Sequence, residues 1–512
     1  MCAKTNQSKG ESVPDADPPT TDEQYEKEEI TYPEPPEELQ PGSRNWRKLL
    51  LYFGPGAIVA SMTLGSGETL FAPRGGAIFG FSIIWALVWA GFVKGVMTYS
   101  GVRYRTLAGE NIMSRWAKLP GPRGWFTLLM GFLALLAFPS WVGGLAKMLG
   151  QITAWVLGLP VNNTTAAALG TIMIVVTFGL DLLGGYEAVE RAQVVIVAFL
   201  SAAIAVLAIA TQPPLGKVMG GLIPMLPSDY APFVHQKYPE VAARSVWVEV
   251  VTYMGAVGGG IYDYIGYVGY TKQRNWGIFS RSDADDVEDL VRELAPGQTV
   301  PIDTDESNIR RGRSWLKAPQ IDVTLSFLAI TFFTATAMVL GAQSLNATER
   351  IPSGFNLYTY QATWFTDIAP GLDILWQIGV FFAIFGTMYA TWEGYTWTWL
   401  MSFRPFSSRV RDLEKNNLNL ARTLTFVYCG GLGLVLMWSD LSAVAIVTPA
   451  SILGGVFGCG LWCFGMIWAE KTALPAELRG NNLYYAALVV SGLFLTFSGI
   501  ISIIEYLGLM TF

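Results

Sequence analysis

Two acidic residues follow glycine clusters inside otherwise apolar segments of this 512-residue chain. Glu68 comes directly after the Gly-Ser-Gly sequence at residues 65–67, and Asp263 comes soon after the Gly-Gly-Gly sequence at residues 258–260. A glycine inside a helix costs up to about 1 kcal/mol relative to alanine, so each cluster predicts local unwinding. Unwound backbone offers free carbonyl oxygens to a cation, and a carboxylate in a membrane span is a functional hypothesis by default. These residue types therefore favour cation binding at two helix breaks.

The composition places both clusters in a membrane. Hydrophobic residues make up 52% of the chain and charged residues 14%, whereas a soluble domain carries roughly 25% charged residues. The chain contains 54 glycines and a single histidine. This composition excludes a typical soluble enzyme, a disordered protein and a nucleic-acid-binding protein. It predicts an all-α polytopic membrane protein.

Eleven segments are long and apolar enough to be transmembrane helices. They cover residues 50–71, 77–99, 124–156, 164–183, 188–210, 245–270, 321–342, 372–400, 420–438, 441–468 and 482–508. The glycine clusters fall in the first and sixth segments, which open two five-helix halves. Matched glycine interruptions in two halves indicate the binding site of a secondary transporter. The alternative is that these glycines only allow close helix packing.

The basic residues predict the orientation of the chain. With the N-terminus in the cytoplasm, the cytoplasmic loops and flanks carry 24 Lys and Arg, against five on the opposite side. An odd number of spans then puts the C-terminus outside. The expected location of the protein is an inner or plasma membrane. Lys94, Lys147, Asp181 and Arg422 lie within or at the ends of spans, where snorkelling accounts for those near the ends.

Four regions follow from this organisation. Residues 1–43 are rich in acidic residues and proline, which predicts a disordered cytoplasmic tail. Residues 44–244 form the first half, and residues 245–470 form the second half with a cytoplasmic loop at 272–318. Residues 471–512 contain the eleventh helix. The acidic cluster near Asp285 in the loop predicts a solvated helical face, because it lacks the glycine and spacing of a calcium loop.

Over most of residues 45–508 the chain resembles the NRAMP family (natural resistance-associated macrophage protein) of proton-coupled divalent-metal transporters. The similar stretches are GPGAIVAS in the first span, GVRYRTLAGENI after the second, Gly-Ala-Val at residues 255–257 and IDVTLSFLAITFFTATAMVLGA in the seventh. The resemblance implies the leucine-transporter-type fold. That fold is a 5+5 inverted repeat with discontinuous helices 1 and 6, here with an eleventh helix.

The family's signature residues are replaced in this chain. At the first-helix motif Asp-Pro-Gly-Asn, Gly65 stands at the Asp position and Glu68 at the Asn position. At the sixth-helix motif Met-Pro-His, the chain has Gly259, Gly260 and Ile261. Loss of the thioether weakens the case for soft transition metals, and the remaining oxygen ligands suit a hard ion such as Mg²⁺ or Ca²⁺.

The candidate site combines these matched positions with neighbouring residues. The predicted substrate-binding residues are Gly65, Ser66, Glu68, Ala256, Gly259, Tyr262 and Asp263. Metal ligands are expected from the Gly65 and Ala256 carbonyls and the Glu68 and Asp263 carboxylates. Because no span contains histidine, the candidates for proton coupling are Glu68, Asp263 and Glu393. No cofactor is expected, and the transported ion is expected to be Mg²⁺ or Mn²⁺.

Two other functions stay open at this stage. Tyr262 and Tyr264 lie beside the second break, and aromatic rings near carboxylates suit an organic cation, although membrane aromatic belts have the same composition. A transporter of a small organic solute, such as a cationic amine or amino acid, is therefore one alternative. A non-transporting sensor on the same scaffold is the other. No P-loop motif is present, and no enzyme activity is expected. The expected partners are the lipid bilayer and a small cation or solute, and the oligomeric state is not determined.

Overall fold

The structure, a computed structural model, describes residues 29–43, 46–53, 65, 67–183, 186–366 and 369–509. These residues are almost entirely helical. Their one β-type pairing is an isolated bridge between Ile30 and Ile302.

Fourteen helices of the described residues build the membrane part of the chain and carry labels below. They are α1 (Ala72–Phe79), α2 (Ile84–Ala108), α3 (Trp125–Val156), α4 (Asn163–Leu183), α5 (Tyr186–Thr211), α6 (Val246–Ala256), α7 (Ile261–Tyr270), α8 (Lys317–Leu340), α9 (Asp373–Phe403), α10 (Leu418–Thr425), α11 (Gly431–Met437), α12 (Ala443–Ala450), α13 (Gly458–Ala473) and α14 (Asn482–Tyr506). Wider π-helical turns adjoin some of them at Gly67–Phe71, Gly341–Asn346, Phe426–Gly430 and Ser451–Phe457.

Short helices fill the connections. The α-helical ones are Trp46–Leu49, Ile112–Trp116, Leu215–Gly220, Pro232–Lys237, Pro239–Ala242, Ala284–Glu293, Glu306–Trp315, Thr363–Thr366 and Ser408–Asn416. The 3₁₀ turns are Glu37–Leu39, Leu50–Tyr52, Thr271–Arg274, Gly277–Ser280, Gly354–Asn356 and Ala476–Leu478.

Seven continuous helical stretches of the described chain are long and apolar enough to cross a membrane. They are Trp125–Val156, Asn163–Leu183, Glu306–Asn346, Asp373–Phe403, Leu418–Met437, Ala443–Ala473 and Asn482–Tyr506. The helices α2 and α5 and the pair α6–α7 fall outside this criterion. The total of eleven spans therefore stays a prediction, while the all-helical polytopic architecture is confirmed.

The predicted boundary between the first two spans is wrong. The sequence placed the end of the first span at residue 71 and the start of the second at 77, but α1 continues to Phe79. The chain then turns at Gly80, whose φ of +60° is a left-handed conformation that glycine adopts readily. The second helix consequently spans Ile84–Ala108, and Lys94 lies near its middle rather than near its end.

Helices α6 and α7 are the two halves of one discontinuous helix, which confirms the predicted break in the sixth span. Ser245 caps the first half by accepting a hydrogen bond from the Val248 N–H at 3.1 Å. The helix ends at Ala256, and residues 257–260, called the break below, leave the helical conformation. Gly258 and Gly259 have φ values of +74° and +83°, which side chains other than glycine rarely allow.

The first span is described only in part. The π-helical turn Gly67–Phe71 and α1 form its second half. Residues 54–64, where the first half of the span is predicted, and Ser66 lie outside the described residues.

Close backbone contacts enclose the break. A Cβ atom on Gly255 would lie 2.3 Å from the Ser451 carbonyl oxygen, and one on Gly455 would lie 2.3 Å from the Gly255 carbonyl oxygen. These two glycines let α6 and the turn Ser451–Phe457 touch backbone to backbone. Helix α7 packs mainly on α9 and α3, and α8 packs on α1 and α2. The break therefore lies inside the helix bundle.

Residues 29–43 are folded, so the predicted disorder is wrong for this part of the tail; residues 1–28 lie outside the described residues. Ile30, Tyr32 and Leu39 are buried. The Tyr32 hydroxyl donates to the Leu107 carbonyl at 2.7 Å, and the Trp315 indole N–H donates to the Pro33 carbonyl at 3.0 Å. A few apolar side chains thus anchor an acidic stretch that composition alone assigns to disorder.

The acidic cluster of the 272–318 loop forms the helix Ala284–Glu293, but one of its acids is not solvated. Glu288 is 2% exposed and its carboxylate lies 3.2 Å from Arg404, 3.7 Å from Arg105 and 2.8 Å from Lys272. Burial by itself raises the pKa of Glu288, but these three positive charges outweigh it and lower the pKa to about 2. The prediction of a fully solvated face is wrong at this residue.

Candidate functional site

Glu68 connects the two discontinuous helices. It lies in the turn Gly67–Phe71 and is fully buried. Its Oε1 accepts a hydrogen bond from the Gly258 N–H at 2.9 Å. Its Oε2 has no hydrogen-bond partner among the described residues. One carboxylate therefore binds the break of the other helix and keeps one oxygen available for a further ligand.

Asp263 occupies the first turn of α7. Its Oδ2 accepts a hydrogen bond from the Gly260 N–H at 3.0 Å, and the residue is 6% exposed. The positive end of the helix dipole favours a negative charge at this position. The structure thus places both predicted carboxylates against amide groups of the same break.

Lys94 is the third charged group at the break. It is fully buried, and its Nζ donates to the carbonyl oxygens of Gly255, Val257 and Gly259 at 2.9, 2.6 and 2.7 Å. The ammonium interacts with Glu68 and Asp263 through space, without a hydrogen bond to either among the described residues. A lysine side chain therefore binds the carbonyl groups that helix unwinding exposes.

Sequence reasoning did not place Lys94 in the site. The predicted second span ended at residue 99, so the lysine was close enough to its end for snorkelling to explain it. A usable signal was present, because apolar residues continue on both sides of Lys94 to beyond residue 101. A lysine in the middle of a span faces a partner inside the protein.

The backbone ligands predicted from the sequence have other contacts. The Gly65 carbonyl accepts a hydrogen bond from Thr69 Oγ1 at 2.7 Å. The Ala256 carbonyl oxygen faces Gly67, on which a Cβ atom would lie only 2.4 Å away. The Gly259 carbonyl is bound by Lys94. Helix unwinding does expose carbonyl groups to a positive charge. The Gly65 and Ala256 carbonyls, which the sequence predicted as metal ligands, are not among those that Lys94 binds.

A buried aromatic group flanks the break on the side of α3 and α9. The ring of Tyr262 lies 5.8 Å from that of Trp141 and 6.2 Å from that of Tyr395, measured between centroids. The Tyr262 hydroxyl and the Trp141 indole N–H face each other, and neither has a hydrogen bond to any other described residue. Tyr264 has a different role, because its hydroxyl donates to the Gly258 carbonyl and holds the break in place.

Glu393 belongs to a separate cluster. Its Oε2 accepts a hydrogen bond from Arg422 Nε at 2.7 Å, and its Oε1 accepts one from the Trp397 indole at 2.9 Å. Asp181 lies 3.8 Å from the same arginine nitrogen. The structure gives Glu393 no hydrogen bond to Glu68 or Asp263, so the predicted coupling residues do not form one hydrogen-bonded group.

Another group of charged residues joins α1 to α6. It consists of Arg74, Arg244, Glu249 and Tyr253 and is called the outer pair cluster. Arg74 lies 3.2 Å from Glu249 Oε1, and Arg244 lies 3.3 Å from Glu249 Oε2. Arg74 also donates to the Tyr253 hydroxyl at 3.1 Å. The sequence assigned Arg74 to the outer loops, but it is a buried residue of α1 with a carboxylate partner.

The chemistry of the break site is set by oxygen donors. In the described part of the chain no three His, Cys, Asp or Glu residues come together as a metal-binding group. Two carboxylates, one with an oxygen that has no hydrogen-bond partner among the described residues, are the candidate anionic ligands. They suit a hard cation that keeps part of its hydration shell.

Two half-helices that meet at breaks inside an all-helical bundle define a membrane transporter with the leucine-transporter-type fold. A sequence model of the natural resistance-associated macrophage protein-like family matches residues 56–504, and the chain belongs to this family. The chain is accordingly a multi-pass integral membrane transporter and not an enzyme, and its family places its cargo among divalent metal cations. The resemblance found in the sequence is confirmed.

Solved structures share the fold at low sequence identity. The crystal structure of the Eremococcus coleocola manganese transporter in complex with an aromatic bis-isothiourea substituted compound is 16% identical, with a TM-score of 0.59 over 92% of this chain and 88% of that chain. The structure of MhsT in complex with L-phenylalanine is 14% identical, with a TM-score of 0.51 over 88% of this chain and 98% of that chain. No curated protein sequence matches the chain.

Proposed function

We propose that this chain is a secondary-active transporter that moves a divalent cation by alternating access and binds it between Glu68 and Asp263. The observation that carries this proposal is the fully buried Glu68 carboxylate, one oxygen of which has no hydrogen-bond partner among the described residues. A buried charged oxygen without a partner is costly unless a cation or a proton binds it. The second carboxylate beside the same break adds a further ligand for a doubly charged ion.

The ligand chemistry favours Mg²⁺, with Mn²⁺ as the second choice. Gly259 and Ile261 stand where family members have a thioether and an imidazole, so these two positions supply no soft side-chain ligand and the carboxylates of Glu68 and Asp263 remain. Mg²⁺ dehydrates reluctantly and is often held by one or two carboxylates plus waters. Proton coupling through Glu68 and Asp263 forms part of the proposal, because a proton can replace the cation on a carboxylate. The N-terminus is proposed to be cytoplasmic and the C-terminus external.

Uptake by purified protein in liposomes tests this function. Mg²⁺, Mn²⁺, Ca²⁺, Cd²⁺ and a panel of amino acids and amines should be compared under the same proton gradient. We expect saturable Mg²⁺ uptake that Mn²⁺ inhibits, and no large advantage for Cd²⁺. A strong Cd²⁺ preference would contradict the assignment of hard oxygen ligands.

The Glu68→Gln variant tests the residue that carries the proposal. A charge-assisted ligand is worth about 1.5–3 kcal/mol, so cation uptake should fall at least about tenfold. Glu393→Gln should cost less, because that carboxylate belongs to the Arg422 cluster. Glu349→Gln, an exposed change, is the matched control. Unchanged uptake by Glu68→Gln with a normal size-exclusion profile would remove this residue from the site.

One observation favours a second candidate, the transport of a small organic cation or amino acid. The Tyr262 hydroxyl and the Trp141 indole N–H are buried polar groups that face each other close to Asp263, and neither has a hydrogen bond to any other described residue. Such groups in an aromatic surrounding can orient an organic ligand. Saturable uptake of an amine or amino acid without any divalent cation would favour this candidate. Absence of uptake for every solute would favour the sensor.

A further inference from the structure

We infer that the Lys94 ammonium acts as a built-in cation. It occupies the carbonyl oxygens of Gly255, Val257 and Gly259, called the carbonyl edge of the break below, and so confines the transported cation to the carboxylates. The confinement of the cargo rests on the proposed function. The occupation of the carbonyls by a replaceable positive charge does not rest on the proposed function, and it can be tested without a transport measurement.

The break presents its two kinds of backbone group to opposite charges. The carbonyls of alternate residues, Gly255, Val257 and Gly259, all meet the Lys94 ammonium. The intervening amide groups meet anions, since the Gly258 N–H donates to Glu68 and the Gly260 N–H donates to Asp263. The break is thus a single backbone segment with a cation on one edge and two carboxylates on the other.

The ammonium uses all of its hydrogen-bonding capacity on this edge. An ammonium group has three N–H donors, and three carbonyls lie at 2.6 to 2.9 Å. Three buried arginines of the chain behave differently. Arg74, Arg103 and Arg404 each contact a carboxylate directly. Lys94 instead makes the contacts that a bound metal or ammonium ion makes with unwound backbone.

This arrangement has a consequence for the cargo. Three carbonyls in this geometry would otherwise form part of a binding site for a free cation. With Lys94 in place they are saturated, and the protein ligands left for the cargo are carboxylate oxygens. A monovalent ion that relies on carbonyl ligands finds none here, whereas a hydrated divalent ion is held by charge. Lys94 is therefore a specificity-determining residue.

The chain offers a matched control in Lys147. This lysine is also buried, at 2% exposure, and donates to the Ser439 and Leu441 carbonyls at 2.8 and 2.6 Å. These carbonyls lie in the connection between α11 and α12, away from the break. Replacing Lys147 removes the same type of side chain and the same type of contact outside the proposed site.

Thermal unfolding of purified protein in detergent is the test. Wild type, Lys94→Met and Lys147→Met should be measured in choline chloride and in increasing NaCl, KCl or NH₄Cl at constant ionic strength. We expect only Lys94→Met to gain Tm saturably, by on the order of 3 °C, as a small cation fills the carbonyl edge. No cation response by Lys94→Met, or an equal response by Lys147→Met, overturns the inference.

A second set of variants decides the matter if Lys94→Met does not fold. Lys94→Arg retains a charged donor and should show no response to monovalent cations. Lys94→Gln has only neutral donors, so monovalent cations should raise its Tm. The same behaviour in both variants overturns the inference.

Chemical rescue gives an independent measurement. In Lys94→Ala, n-propylammonium supplies the missing N–H donors and should raise Tm, whereas tetraethylammonium has no N–H donor and should not. Equal effects of the two amines count against a specific ammonium site.

The role in cargo selection is measured in liposomes. Divalent uptake by wild type should be the same in Na⁺ and in choline, and uptake by Lys94→Met should depend on Na⁺. Na⁺-independent uptake by a Lys94→Met protein that Na⁺ stabilises would overturn the specificity role alone. Absence of any divalent uptake by wild type would contradict the proposed function and leave the Tm results standing.

Discussion

The break site and the outer pair cluster are two buried groups of charges that adjoin the same two spans, the first and the sixth, and they are partnered differently. In the outer pair cluster, both oxygens of Glu249 face arginines, at 3.2 and 3.3 Å. At the break site, Glu68 and Asp263 face amide groups, Lys94 faces carbonyls, and one Glu68 oxygen has no described partner. In the outer pair cluster the charged side chains bind each other, whereas at the break site the charged side chains bind backbone groups.

This difference separates a structural ion pair from a site that can exchange a ligand. Removing one member of a buried pair leaves an uncompensated charge, so such a pair holds its helices together. A carboxylate held only by amide groups keeps its net charge, which a cation or proton can neutralise. Burial of an acid in a span therefore does not by itself identify a transport site; the type of partner does.

The largest expected effect is the loss of stability in Glu249→Gln. Arg74 and Arg244 would keep their charges without a carboxylate, and breaking a buried pair costs about 3–5 kcal/mol. We expect a clear fall in Tm of the detergent-purified protein. Glu349→Gln, which breaks the exposed pair with Lys237, should cost about 1 kcal/mol or less. Equal losses in the two variants would show that Glu249 is not the structural partner described here.

A somewhat smaller effect, with a defined pH window, is expected for Glu288, a fully paired carboxylate on the 272–318 loop. Its pKa in the folded protein is about 2, below its usual 4.5. Its stabilising contribution is therefore complete above about pH 4.5 and is lost as the pH falls towards 2. At pH 7, Glu288→Gln should lose about 3 kcal/mol.

The measurement is Tm of wild type and Glu288→Gln at pH 7, 4.5 and 3. The difference between them should shrink as the solution becomes more acidic. Glu293→Gln, at an exposed position of the same helix, should remain within about 1 kcal/mol of wild type. A difference that grows at low pH would contradict the paired state of Glu288.

Glu68→Gln should have a small effect on stability, of the opposite sign. The amide oxygen still accepts the Gly258 N–H, and the substitution removes a buried charge whose second oxygen has no described partner. We expect Tm in metal-free buffer to be unchanged or raised, within about 1 kcal/mol, while cation uptake is lost. A destabilisation as large as that of Glu249→Gln would remove the contrast between the two regions.

The smallest expected effect distinguishes two tyrosines beside the break. Tyr262→Phe removes a hydroxyl that faces only the Trp141 indole N–H among the described residues and should leave Tm nearly unchanged. Tyr264→Phe removes the donor to the Gly258 carbonyl and should cost about 1 kcal/mol. A greater loss in Tyr262→Phe would indicate that its hydroxyl has a structural partner.

The sequence predicted the parts of this site that depend on local backbone chemistry. Consecutive glycines disfavour a helix wherever they occur, so the break at residues 257–260 and the acids beside the breaks could be identified in advance. Family membership followed from motif order along the chain. The ion pairs of Glu249 and Glu288 could not be predicted, because their partners lie on elements distant in sequence.

Helix boundaries account for the other differences. A shift of about nine residues at the end of the second span moved Lys94 from a snorkelling position to the centre of a helix. Residues 29–43 looked disordered because the residues that hold them, such as Trp315 of the 272–318 loop, are far away in sequence. Glu393 looked available for coupling until Arg422, from another helix, proved to bind it.

By itself the sequence determined the class of molecule and the position of the second break, and it predicted oxygen ligands at the site. These properties follow from composition, backbone conformational preference and side-chain chemistry, which act over a few residues. Only the tertiary structure decided which backbone groups each charge meets. The carbonyls of the break belong to α6 and its linker, while the ammonium that binds them comes from α2, so packing alone brings them together. For this reason only the structure shows that Lys94 supplies the positive charge at the carbonyl edge.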